Sequence, residues 1–180
     1  MGKILFDSIA EDNDALIVSV ISVESQFVRA KILHVYTSRF SLPTMPYFSG
    51  SIEFVGETGA WGNEILKPQE TAIVFVNGFP DKYKKYMQAH FRGHYSIEKI
   101  NGEFCAIANW SLFEEPNWVS DELLKAAFKV ESSPRHRVAM PFMDFEKFMS
   151  QRFELIGQKI IPSTLFARAE DPSEGGLNDC

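Results

Sequence analysis

The chain has 180 residues, 45% hydrophobic and 23% charged, enough to enclose one sizeable core and unlike the make-up of a disordered chain. A formal net charge of -6 opposes sequence-independent binding of nucleic acid, because that affinity comes from lysines and arginines that displace counterions from phosphates. The apolar stretch 15–23 is too short to span a bilayer and follows Glu11, Asp12 and Asp14 instead of a basic leader, while Cys105 and Cys180 are too few for a disulfide framework, so a cytoplasmic protein with no membrane contact is expected.

Residues 15–23 (ALIVSVISV) are rich in β-branched side chains, and residues 27–36 alternate Val28, Ala30 and Ile32 with Arg29 and Lys31. The two runs predict an antiparallel pair with one wet face. Pro43 and Pro46 make 41–50 a loop, which carries Met45, Tyr47 and Phe48. A short strand follows at 51–55, then a glycine-punctuated turn at 56–63 containing Trp61. The nearly all-apolar run 71–76 predicts a central strand buried on both faces.

Asp81, after Pro80, predicts the N-cap of a short helix over 82–91 with Tyr83, Tyr86, Met87 and His90 on one face, ended by Gly93. Residues 95–100 and 103–108 flank Asn101-Gly102, whose positive φ preference specifies a type I′ hairpin. Beyond Trp110 the pattern turns helical. Ser120 caps one segment that has Asp121 and Glu122 in its first turn and Lys125 and Lys129 further on, and a second helix runs from about Met143 to Ile156 with Gly157 as its stop. The set predicts an α+β fold: a small antiparallel barrel over about 14–110, then helices over about 120–157. The organisation is a single domain over 1–166 and a disordered acidic tail over 167–180.

The order of strand pair, strand, helix and closing hairpin resembles the OB-fold, a Greek-key barrel with a helix between its third and fourth strands. The runs 15–23, 31–36, 67–76 and 93–100 are also similar in pattern to bacterial netrin-like and TIMP-like domains over roughly 14–109. Animal members of that branch carry disulfides and an N-terminal cysteine that meets a protease metal. This chain begins Met-Gly-Lys-Ile with no early cysteine, so the resemblance implies a recognition surface and not protease inhibition.

No catalytic set, metal site or cofactor motif assembles along the chain. His90 and His94 stand four apart, but Gly93 falls between them and no third ligand is evident. No serine lies in a Gly-x-Ser-x-Gly elbow, and both phosphate-binding glycine motifs are absent. Cys105, among apolar neighbours, reads as an unreactive core thiol, and Arg135-His-Arg137 as a solvated basic loop. The loop aromatics are harder to place in a core. Tyr47, Phe48 and Trp61, with Glu53, Glu57 and Glu64 as an acidic rim, predict a surface for a protein partner, for example a basic toxin domain. By class, small acidic domains of this kind resemble immunity proteins of bacterial competition systems, which act without catalysis by covering a toxin. Two alternatives stand beside this reading. One is a single-strand nucleic-acid binder that uses Lys82, Tyr83, Lys84, Lys85 and Tyr86; the other is a hydrolase whose site residues are scattered in sequence.

Overall fold

The computed structural model describes residues 2–37, 50–56, 65–77, 86–88, 93–115, 117–130 and 137–166. The elements in chain order are α1 (Leu5–Asp12), β1 (Asp14–Glu24), β2 (Phe27–Val35), β3 (Ser51–Val55), β4 (Thr71–Asn77), β5 (Tyr86–Gln88), β6 (His94–Ile100) and β7 (Glu103–Ala108). A short 3₁₀ turn (Leu112–Glu114), α2 (Asp121–Ala126), β8 (Phe128–Lys129), β9 (Val138–Pro141) and α3 (Phe142–Leu155) complete them. The fold is α+β. Its strands make one mostly antiparallel sheet in the order β1-β2-β3-β5-β4-β6-β7-β9-β8, and β1 pairs with β4 as well as with β2. Among the described residues only the β3–β5 pair is parallel.

The period-two side-chain alternation of the strands gives two large cores, beside a small cluster of Cys105, Ile107 and Ala139. Ala15 and Ile17 of β1, Ile73 and Phe75 of β4, and Tyr95 and Ile97 of β6 turn toward the helices. Leu16, Val18 and Val20 of β1, with Ala72, Val74 and Val76 of β4, turn the other way and pack on Val28, Ala30, Ile52 and Phe54. β4 is thus buried on both faces, as its uninterrupted apolar run requires.

The helix-side core is dominated by aromatic rings. Phe6 meets Phe75 edge-on at 5.5 Å between centroids and Phe148 at 4.9 Å, and Tyr95 lies 4.7 Å from Phe145. These separations suit edge-to-face and tilted pairs, each of which adds roughly 0.5–1.5 kcal/mol beyond burial.

Several local readings of the sequence hold. β1 and β2 pair antiparallel, and the β6–β7 turn has Asn101 at φ 52° and Gly102 at φ 82°. Ser120 Oγ accepts the Leu123 amide at 3.3 Å as the cap of α2, and Gly157 at φ 77° ends α3.

Three expectations are corrected. First, β1 to β5 do not stand alone as a small closed barrel. β6 takes Ala72, Ile73 and Val74 of β4, leaving β5 only Val76 and Asn77, and the sheet runs on through β7 and β9 to the edge strand β8. Second, the C-terminal part is not a helical appendage. β8 and β9 separate α2 from α3, and Lys129, expected late in a helix, lies in β8. Third, residues 86–88 of the expected 82–91 helix form β5, because Tyr86 and Met87 complete the β3 edge at Phe54 and Val55 while Gln88 and Met87 complete β4. Strand pairing in the folded sheet outweighs local helix preference there. Asp81 to Lys85 and Ala89 to Arg92 lie outside the described residues, as does the 167–180 tail.

α1 had no counterpart in the sequence reading. Phe6, Ile9 and Ala10, at helical spacing, bury one face of it, and Asp7 Oδ2 accepts the Ile4 amide at 2.9 Å, satisfying one orphan N–H of the first turn.

Candidate functional site

Strand direction sorts the connections into two groups. The C-terminal ends of β2 and β4 and the N-terminal ends of β3 and β5 share one end of the sheet, so connections 38–49 and 78–85 both leave from there. The opposite end holds the Ser25-Gln26 and Asn101-Gly102 turns, and connection 57–64 departs from it after Gly56. Gly56 is needed at that exit, since a Cβ there would stand 2.8 Å from Val28 Cγ2, a methyl on a stiff β-branched side chain.

Of the expected partner-binding set, Tyr47, Phe48, Glu57, Trp61 and Glu64 lie outside the described residues, as do Lys82, Tyr83, Lys84 and Lys85. Glu53 is exposed on β3, across from Arg29 of β2. The backbone of Tyr86 lies in β5 beside Phe54. Among the described residues the end with the two hairpin turns holds Glu24 of β1, Lys67, Lys99 of β6 and Glu103 of β7.

A row of polar groups on β6, not anticipated from the sequence, faces away from the helices. Gln88 Nε2 donates to His94 Nδ1 at 2.9 Å, Ser96 Oγ donates to Glu70 Oε1, and Arg137 forms an ion pair with Glu98 and donates from Nε to Asn109 at 3.0 Å. The alternation His94-Tyr-Ser-Ile-Glu98 is the ordinary signature of a wet strand face, yet His94, Ser96 and Gln88 are buried. Sequence periodicity cannot distinguish a wet face from one whose polar groups are satisfied internally.

The remaining buried ionisable groups join helix to helix and helix to sheet. Arg152 of α3 grips Asp7 of α1 through Nε at 2.7 Å and through Nη2, which also donates to the Gly2 carbonyl at 3.1 Å. Burial alone would raise the Asp7 carboxyl, but the hydrogen bonds from Arg152 and Ile4 outweigh it and hold the pKa below 3.8. The same hydrogen bond to Asp7 raises Arg152 despite its own burial. Tyr36 donates to Glu146 Oε2 at 2.6 Å, and the Ser163 amide donates to the same oxygen at 2.9 Å. Burial first, and then the Glu146 carboxylate, push the Tyr36 phenol far above its ordinary value. Thr37 Oγ1 donates to Asp14 Oδ1 at 3.0 Å and accepts the Ala15 amide at 3.1 Å. Cys105 is buried, and that burial, with Glu103 nearby, pushes its thiol up to about 11.

Among the described residues no group of three or more metal-ligating side chains converges, and no helix is long and apolar enough to cross a membrane. His94 is taken up by Gln88, and His90 lies outside the described residues. What the Asp7–Arg152, Tyr36–Glu146 and Asp14–Thr37 arrangements do chemically is hold elements together through buried hydrogen bonds. Comparison of the chain with protein-family models, with curated proteins and with solved structures found no match in any of the three.

Proposed function

We propose that the chain is a non-catalytic protein-binding domain, of the immunity type, that neutralises a basic toxin by direct contact. The observation that carries this reading is the placement of connection 57–64. The chain leaves β3 at Gly56 at the end where the two tight hairpins turn and where Glu24 and Glu103 stand, on a scaffold with packed cores on both faces, and by sequence the residues after Gly56 include Glu57, Trp61 and Glu64. Rigid sheets that present a few loops from one end are a common recognition design. Acidic groups around a large ring give a basic partner both electrostatic steering and an anchor. The commitment of Asp7, Arg152, Tyr36 and Glu146 to structural bonds supports a role that does not transform a substrate.

A second reading has its own observation. The sheet is not closed into a barrel, but β1 pairs with both β2 and β4 in an order that resembles an OB-type fold, and in OB-type barrels the connection between the fourth and fifth strands contacts oligonucleotides. Here that connection carries Lys82, Tyr83, Lys84 and Lys85.

The two readings use different residues, which makes them separable. E57K/E64K and W61A should weaken a protein complex about tenfold or more, whereas K82E/K84E/K85E should leave it intact. The reverse pattern, with a salt-sensitive loss of oligo(dT) binding in the lysine variant, would transfer the function to those lysines.

A further inference from the structure

The segment after Gly157 is held as an extended ligand is held. Ile160 is buried, the Ile161 carbonyl bonds His34 Nε2, and the Ser163 amide donates to Glu146. The Phe166 ring lies 5.0 Å from Phe104 and 5.1 Å from Phe142. No helix or strand forms between residues 158 and 166; the Gln158 amide closes on the Phe153 carbonyl and the Leu165 amide on Ser163 Oγ, while the Ile161 carbonyl and the Ser163 amide bond side chains of β2 and α3. Its neighbours Ile161 and Leu165 point outward, 67% and 52% exposed. Main-chain hydrogen bonds plus side-chain anchors at fixed spacing are the pattern by which domains recognise peptides.

We infer that the seam lined by His34, Tyr36, Phe104, Phe142 and Glu146 is a docking groove for an extended segment of another protein, filled in the free chain by residues 160–166 as a tethered stand-in. The seated segment defines what fits: an aliphatic residue, a free backbone N–H three positions on, and an aromatic ring six positions on. The groove is preformed, because Tyr36 holds the Glu146 carboxylate toward the incoming amide at 2.6 Å. A tethered segment competes at an effective concentration in the millimolar range, so a free peptide meets an almost closed groove until the tether is weakened. Positive φ at Gly157 places the pivot directly before the segment. This inference is independent of the connections at either end of the sheet.

The test uses the full chain and a fluorescein-labelled peptide with the sequence of residues 158–166, read by anisotropy. The F166A chain should bind it at least tenfold more tightly than the unaltered chain does, and a peptide with its own phenylalanine replaced by alanine should bind neither. Absence of binding to a folded F166A chain overturns the proposal. Dimerisation of that chain without uptake of peptide would assign the groove to a second copy and also overturn it. Should F166A fail to fold, hydrogen exchange on the unaltered chain decides. The Ser163 amide should exchange by local opening, at least a hundredfold faster than the β4 amides, and exchange only through global unfolding would show that the segment is not releasable.

Discussion

Replacing Arg152 by methionine tests the physical account of the helix layer most sharply. Arg152 is 3% exposed and its partner Asp7 is 7% exposed, so the substitution keeps the apolar stem and strips a buried carboxylate of its charge partner and both guanidinium hydrogen bonds. Only the Ile4 amide would remain on Asp7. Breaking a buried pair from one side costs about 3–5 kcal/mol, which for a protein of this size corresponds to roughly 6–20 °C in Tm.

The pH dependence of this loss gives a second, stricter measure. In the unaltered chain the folded Asp7 pKa lies below 3.8, so its stabilisation is fully present above that value and is lost as the pH falls through the folded pKa. Without Arg152, burial is opposed only by the Ile4 amide and the more distant Lys3 charge, so the folded pKa should rise above the unfolded one; the carboxyl then destabilises at neutral pH and recovers on protonation. Urea denaturation at pH 7 and at pH 3.5 should therefore show a large difference between the two chains at pH 7 and a much smaller one at pH 3.5. A loss below about 1 kcal/mol at pH 7, or an equal loss at both pH values, would refute the account of the pair as a buried and mutually dependent unit. The double variant D7L/R152M should regain most of the stability, because no uncompensated charge is left inside.

Other expectations follow from the same structure. Y36F leaves the Glu146 carboxylate with the Ser163 amide alone and should cost about 1.5–3 kcal/mol in denaturant unfolding, with faster exchange at Ser163. Because the folded Tyr36 pKa lies above 10, its stabilisation is present below that pH and is lost as the pH rises beyond it; the Tyr36 phenol should give no ionisation step near pH 10 while the chain is folded. Cys105, with its thiol near 11, should resist Ellman's reagent at pH 8 in a C180S background and react once urea unfolds the chain. F145A opens a hole against Phe6 and Tyr95 and should cost about 3–5 kcal/mol, read from the urea midpoint.

The hairpins and the two-faced β4 were legible in the sequence because their determinants are local. Asn101-Gly102 fixes its turn, and the uninterrupted run 71–76 admits few other placements. β5 was not legible. Its three residues read as part of a helix, and only the open edges of β3 and β4, set by residues far away in sequence, make them a strand. β8 and β9 escaped notice for the same reason. Two and four residues carry almost no periodic signal, and it is β7 that recruits them.

The candidate site was legible only in composition. Sequence grouped Tyr47 and Phe48 with Trp61 because both stretches combine aromatic rings with turn-forming residues, and all three lie outside the described residues. The bonds Asp7–Arg152 and Tyr36–Glu146 span 145 and 110 residues, a separation at which no pattern in a single chain marks two side chains as partners.

The most direct measurement for the proposed role is the mass of the full chain recovered from extracts of its native cells, by size-exclusion chromatography with light scattering at low and then at high salt. A one-to-one complex with a basic protein, loosened by salt and lost in E57K/E64K, is the expected result. Recovery of the chain free at low salt, or bound to nucleic acid and released by K82E/K84E/K85E, would contradict it.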